Sequence, residues 1–216
     1  MIIKKSNKPI RVIGYENSTM TQEGVHFLST EFSGEILVTT PEDFIGLPNK
    51  DEYQYLVFFA LDTKKRKEII SIIEELQLEC VSFIHNTAVI YKNLIELPME
   101  EINKVIGHGS VICPFSSVFL NAQIGNHCLI ESYCLVSHYC VLEDNVILHS
   151  GAMIAGRTRI GANSVFNFKS TALNKLTICN DVEVGALSAV TKDITKPGRY
   201  IGTIARYVGG CIEFIE

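Results

Sequence analysis

From residue 106 to residue 190 the chain is apolar at every sixth position: Ile106, Ile112, Val118, Ile124, Ile130, Val136, Leu142, Leu148, Ile154, Ile160, Phe166, Ala172, Ile178, Val184 and Val190. Apolar residues make up 47% of the sequence, so this unbroken series would arise by chance about once in 10^5. Two places before many of these positions stands a small residue: Ser110, Ser116, Ala122, Cys128, Cys134, Cys140, Ala152, Thr158, Ser164 and Ser170. A six-residue unit that forms one flat side of a triangular coil closes a turn after three units. Each aliphatic side chain then stacks on those roughly 18 residues before and after it. The series divides into about five such coils of parallel β-helix. Their aliphatic ladder supplies the interior, worth ~25 cal/mol per Å² buried, and the small residues fit the tight corners. Gly107, Gly125 and Gly161 follow stacking isoleucines on one side of the coil, where a corner is expected to need a permissive backbone. Residues 91–104, with Pro98 and Glu100-Glu101, fall out of the period and are expected to link this part to what precedes it.

The first part of the chain alternates differently. Ile10 to Ile13 reads as a short strand, with Val25, Phe27 and Leu28 on a helix after it. Residues 34–39, GEILVT, form a second strand, and Pro41-Glu42-Asp43 opens a helix with proline at its first position. The continuous apolar run from Tyr55 to Ala60 predicts a strand covered on both faces, and Asp62-Thr63 caps a helix running to about Gln77. This βαβαβ order predicts a small parallel sheet of three or four strands. The expected organisation is an α/β domain over residues 1–83, a linker or first irregular coil over 84–105, an all-β helix over 106–195 and a tail over 196–216.

Composition narrows the partners. A net charge of -5 argues against nucleic acid and anionic membrane. The one short basic run, Lys64-Lys65-Arg66-Lys67, opens a helix and reads as a solvated face. No apolar run reaches the ~20 residues needed to span a bilayer, and MIIKKSNK lacks the shape of a signal peptide, so a cytoplasmic protein is expected. Seven cysteines without a close CxxC pair read as reduced thiols. Residues 131–150, ESYCLVSHYCVLEDNVILHS, carry histidines, cysteines and acids in the manner of a metal site. However, Cys128, Cys134 and Cys140 occupy the small-residue slot and are expected to pack inward. His108, His127, His138 and His149 are not separated by multiples of eighteen, so no metal site is expected.

With these stretches in view, the second half resembles the left-handed parallel β-helix (hexapeptide repeat) acyltransferases. The whole chain resembles the branch containing the bacterial nucleotide-amino-sugar N-acetyltransferases and the sialic acid O-acetyltransferases. The resemblance rests on RVIGYEN, FFALDTKKR, FIHNTAVI, the run from IGHGSV to LEDNV, and IGTIAR. It implies acetyl-CoA as cosubstrate, no metal, a nucleotide-linked amino sugar as acceptor for surface polysaccharide synthesis, and a homotrimer with sites between subunits.

The family's V-x-H-[DE]-C element aligns with Val136-Ser137-His138-Tyr139-Cys140, which makes His138 the general base that takes the proton of the attacking amine. The period agrees, since His138 falls two residues after a stacking aliphatic and should point outward from a corner. Leu120 is then one coil below it, with Gly156 and Asn174 one and two coils above. Gly156 is expected to leave room for a pantetheine arm. The resemblance further implies supporting roles for Tyr139, His149 and Asn121, and cofactor contacts from Gly156, Phe168, Ala186 and Arg206, the last near the adenosine 3'-phosphate. Substrate contacts are expected from Gly14, Asn17, Ser18, Asp62 and Arg66, with Arg66 meeting a phosphate.

Three departures stand against the family pattern. Tyr139 replaces the acid after the histidine, Ile147 replaces a second histidine, and Gly14-Tyr15-Glu16-Asn17-Ser18-Thr19 replaces a glycine-rich phosphate turn. His149 either substitutes for the missing histidine or is a surface residue. Sugar O-acetylation, or a non-catalytic β-helix that binds a sugar nucleotide or assembles with a partner, are the alternative readings.

Overall fold

A computed structural model describes residues 2–3, 7–60, 62–91, 101–102 and 104–202. The N-terminal part is a parallel sheet in the order β3-β2-β4, formed by β2 (Ile10–Ile13), β3 (Ile36–Thr39) and β4 (Gln54–Val57), with β2 in the centre. Helices α1 (Thr19–Ser29), α2 (Pro41–Gly46) and α3 (Thr63–Glu75) make the crossovers. The start signals act as expected: Thr40 accepts from the Asp43 amide ahead of Pro41, and Asp62 accepts from the Lys65 amide. A short strand, β1 (Ile2–Ile3), pairs antiparallel with β5 (Ser82–Ile84).

The rest is a left-handed parallel β-helix of two-residue strands on three faces. The first face carries Val111–Ile112, Leu129–Ile130, Ile147–Leu148, Val165–Phe166 and Val182–Val184. The second carries Ser117–Val118, Leu135–Val136, Met153–Ile154, Thr171–Ala172 and Ala189–Val190, and the third Gln123–Ile124, Val141–Leu142, Arg159–Ile160 and Thr177–Ile178. Every aliphatic position of the six-residue series lies in one continuous core. The ladder starts one coil earlier than the unbroken series: Ile84 pairs with Ile112, Ile90 with Val118, and Ile106 bridges to Ile124. At the other end Gly198–Tyr200, placed in the tail by sequence, adds a strand to the first face beside Val182–Val184.

The small residues do more than fill corners. Ser110, Ser116 and Thr158 each donate to the carbonyl fifteen residues on, at 2.7, 2.6 and 2.7 Å, and accept the amide eighteen residues on. Cys128 and Cys140 direct their thiols to the same kind of carbonyl at 3.2 and 3.1 Å. Burial pushes the Cys128 and Cys134 thiols up to about 12, so they are packing groups and not thiolate ligands.

The glycine expectation needs correcting. The left-handed residues are Gly109, Phe115, Asn121, His127, Tyr133, Tyr139, Asn145, Gly151, Arg157, Asn163, Lys169, Lys175, Asp181 and Leu187, one per side of the coil. Gly107, Gly125 and Gly161 are not among them. Their role is close approach: a Cβ at Gly125 would lie 2.6 Å from the Glu143 carbonyl carbon and 2.8 Å from the Asp144 amide of the next coil.

The two parts share a core. The outward residues of the first face, Val111, Leu129, Ile147 and Val165, pack against Leu28, Phe58, Val81 and Phe83. Ile147 is therefore buried by the N-terminal part, which explains an aliphatic residue where a histidine was sought. Arg66 is the strut of this junction and not a phosphate ligand. It is wholly buried, donating through Nε to Asn145 Oδ1 (2.9 Å), through Nη1 to the Val57 and Phe59 carbonyls (2.8 Å each), and through Nη2 to the His127 carbonyl (2.7 Å). Burial pulls its guanidinium down to about 10, which still leaves it charged at neutral pH.

Two outcomes are expected in thermal and urea denaturation. Arg66→Ala, which orphans three carbonyls and an amide oxygen, should lose on the order of 3 kcal/mol. Gly125→Ala should lose about 1–3 kcal/mol by forcing two coils apart. An Arg66→Ala chain as stable as wild type would contradict the strut.

Candidate active site

The corner between the second and third faces is built by Val136, which stacks inward, then Ser137 and His138, and Tyr139 in the left-handed conformation at φ 58°. That geometry turns the His138 ring outward, and the residue is exposed. The expected eighteen-residue neighbours are in place: the Tyr139 amide donates to the Leu120 carbonyl below (3.0 Å), and the Arg157 amide to the His138 carbonyl (2.9 Å). The imidazole leans over Gly156, where a Cβ would come within 2.6 Å of Nε2 and 2.7 Å of Cε1. Gly156 therefore seats the ring itself, and the free space expected above it is taken by the histidine.

No carboxylate is paired with His138 among the described residues. Ser137 Oγ lies 3.2 Å from Nδ1, and Tyr139 sets its ring edge-on at 5.8 Å, with the Arg157 guanidinium 5.3 Å above the tyrosine. Asn121, one coil below Tyr139, is exposed on the same corner.

His149 lies on the corner between the first and second faces and is not a surface residue. It is buried, with Nδ1 2.9 Å from Glu131 Oε1. Glu131 is fixed in turn by the Ser150 amide (2.9 Å) and hydroxyl (3.0 Å), both on Oε2, and Phe168 stacks on the His149 ring at 5.0 Å. Burial pushes the Glu131 carboxyl up, but the bonds from His149 and Ser150 outweigh it and hold it below its ordinary value. Glu131 is the group that the reading of single residues missed. The signal was present, since 131 and 149 are eighteen apart.

His149 lines a cleft of about 410 Å³ between the N-terminal part and the first face. Ala60 and Thr63 form one wall; Asn163, Val165, Asn167 and Glu183 form the other, with Arg199 from the last strand. Arg199 Nε sits 3.3 Å from Glu183. The expected cofactor residues Phe168 and Ala186 are exposed on the same corner as His149, apart from the His138 corner. Arg206 lies outside the described residues.

Of the expected substrate residues, Gly14, Asn17, Ser18 and Asp62, but not the buried Arg66, lie in the loops after β2 and β4, the place where open parallel sheets bind ligands. Gly14 is buried, and a Cβ there would collide with Thr21 and approach the Phe58 carbonyl at 3.1 Å. Asn17 is exposed, and Ser18 precedes α1 with its hydroxyl free of any cap bond. Asp62 spends one carboxylate oxygen on its own helix. The Tyr15 hydroxyl is raised chiefly by burial, then by Glu42 and Asp62, with Lys65 opposing them. Thus one chain brings its candidate residues together in three groups: the His138 corner, the His149 corner with its cleft, and the β2–β4 loops.

The depressed carboxyl of Glu131 gives a pH dependence. Its contribution is complete above the unfolded value near 4.5 and is lost as pH falls through the lower folded value. Glu131→Gln should be less stable than wild type at pH 7, and the gap should narrow progressively as the pH falls below about 4.5 in thermal melts. A gap that does not narrow on acidification would contradict the pairing.

Residues 121–156 match the family described as "Bacterial transferase hexapeptide (six repeats)". Among solved structures, the acetyltransferase domain of PglB from Neisseria gonorrhoeae FA1090 is 19% identical with a TM-score of 0.73, covering 90% of this chain and 97% of that one. A variant of perosamine N-acetyltransferase from Caulobacter crescentus, in complex with CoA and GDP-perosamine, is 18% identical with a TM-score of 0.71 over 94% and 97% of the two chains. WeeI from Acinetobacter baumannii AYE is 20% identical with a TM-score of 0.52 over 91% and 98%. At such identities the likeness establishes a shared architecture in which both parts of the chain take part. The protein thus carries the bacterial transferase hexapeptide repeat at the coils that bear His138 and has the two-part fold of these sugar acetyltransferases.

Proposed function

We propose that the protein transfers an acetyl group from acetyl-CoA to the amine of a nucleotide-linked amino sugar destined for a surface polysaccharide, in the cytoplasm. The observation that carries this reading is the outward imidazole of His138, seated on Gly156 within the matched hexapeptide repeats, at the position that the V-x-H-[DE]-C resemblance makes the general base. The amine nitrogen attacks the thioester carbonyl carbon, His138 accepts the amine proton, and the tetrahedral intermediate collapses with loss of the CoA thiolate, which is then protonated. No acyl-enzyme is needed. His138 has no acidic partner among the described residues, so the imidazole accepts the proton with only Ser137 Oγ, 3.2 Å from Nδ1, beside it.

The sugar nucleotide is assigned to the cleft beside His149, with Asn163 and Asn167 as amide partners and Arg199 as the cation. Solved structures of one relative with this architecture, from Caulobacter crescentus, hold CoA and GDP-perosamine, which supports an acceptor of that class. The cleft and His138 belong to different corners, so one chain does not complete the site. The second face supplies a reason for assembly: Val89 and Met153 are exposed on it, flanked by exposed Phe115, Tyr133, Leu120, Tyr139 and Leu173. We assign this apolar face to contacts within a homotrimer that brings the His138 corner of one copy to the cleft of the next.

Glu16 and Asp62, in the loops after β2 and β4 where a glycine-rich phosphate turn is absent, favour a second reading, O-acetylation of a sugar without a diphosphate. Side-by-side kinetics with UDP-, dTDP- and GDP-linked amino sugars and with hydroxyl sugars decide between them.

His138→Ala should lower kcat by about 10²–10⁴-fold while calorimetric CoA binding stays near wild type. A wild-type chain that binds no CoA, or a fully active His138→Ala, would contradict the proposal. Met153→Glu, centred on the second face, should shift sedimentation from trimer toward monomer and reduce activity with it. A wild type that sediments as a monomer while fully active would refute the shared site.

A further inference from the structure

A further cluster of chemistry-bearing side chains lies on the remaining corner, between the third and first faces, away from both His138 and His149. Glu74 projects from the last turn of α3 against this corner. His108 Nε2 and His127 Nε2 each lie 2.7 Å from the same oxygen, Glu74 Oε1. The two rings meet edge to face, at 87° with centroids 5.1 Å apart, and the three donor atoms all lie within 4.8 Å of one another. The spacing rule overlooked this pair because the two histidines are nineteen residues apart and not eighteen: one closes its corner, and the other is the left-handed residue of the next coil. The His127 amide bonds to the His108 carbonyl at 2.8 Å, which fixes the two backbones together.

We propose that Glu74, His108 and His127 form a binding site for a borderline-soft divalent cation, Zn²⁺ foremost, with water in the fourth position. Two imidazoles and one carboxylate are a donor set that Zn²⁺ takes in tetrahedral geometry. Zn–N and Zn–O bonds of ~2.0–2.2 Å set neighbouring donors about 3.3 Å apart, so the present pairs need to open by about half an ångström. The cluster can do this from one side. His127 is held rigidly: it is buried, its ring lies against Gly109 where a Cβ would collide, and its carbonyl is gripped by Arg66. The Glu74 and His108 side chains are 49% and 31% exposed, so both can shift and both leave a path for the ion.

The three ligands come from α3 and from two successive coils. A bound cation would therefore clamp the N-terminal part to the β-helix along the line already held by Arg66, and it would take no part in acyl transfer. This inference is independent of the proposed activity.

The test uses metal-stripped full-length protein, titrated with Zn²⁺ by calorimetry and with Co²⁺ by visible absorption. The expected result is one ion per chain, a tetrahedral Co²⁺ spectrum without thiolate charge-transfer bands, and a Tm raised by about 5–10 °C at Zn²⁺ near 100 times Kd. Glu74→Gln and His108→Ala, both at partly exposed positions, should each weaken binding at least about tenfold while CoA binding and the circular dichroism spectrum stay unchanged. Absence of Zn²⁺ binding at about 100 µM, or binding of equal strength in His108→Ala, would overturn the site.

Discussion

Each aliphatic side chain of the ladder must meet another one full coil away, because a two-residue strand has almost no stability of its own and gains it only from the strands above and below. Val136, between Val118 and Ile154, is buried by its neighbours in the stack and buries them in turn. The hydroxyls and thiols of the small slot tie the same coils together at the corners, bonding to carbonyls fifteen residues on. This register fixes more than stability. Once the ladder is set, the residue two places after each aliphatic is turned outward at a corner, and the one after that is left-handed. His138 and Tyr139 hold these two posts on one corner; on another they fall to Ser150 and Gly151, with His149 one place earlier and buried.

The three edges of the prism are consequently not equivalent. The corner beside α3 is given over to joining the two parts of the chain, through Arg66, the Lys67–Asp181 ion pair and the Glu74 cluster. The corner beside the second face carries a histidine locked by a buried carboxylate and opens on the cleft. The remaining corner carries an exposed histidine without an acidic partner among the described residues. A division of labour follows under the proposed function: the locked ring orients the acceptor, and the free ring moves the proton.

The sequence revealed the β-helix because a period of six cannot be satisfied by accident along so many coils, and for the same reason it showed that His138 faces outward from a corner. Its failures have particular causes. Arg66 looked like a phosphate ligand because a basic run at a helix start is ordinarily exposed; only the docking of α3 on the β-helix shows that this cation is used up by carbonyls. Ile147 looked like a lost histidine, yet the N-terminal part covers that face. Gly125 was read for its backbone freedom when what matters is the absent side chain. Glu131 was legible through the same stacking rule that served the core, applied to outward residues. The pairing of His108 with His127 was not legible through that rule, because corners bring together residues one place out of register.

The claim that most needs testing is that this register builds an acyl-transfer edge. A crystal structure of the protein with bound acetyl-CoA tests it directly. The account predicts the thioester carbonyl beside His138 and Gly156, with the cofactor running along that edge at a junction between two copies. Density for the cofactor on the α3 edge, or within the His149 cleft alone, would contradict it.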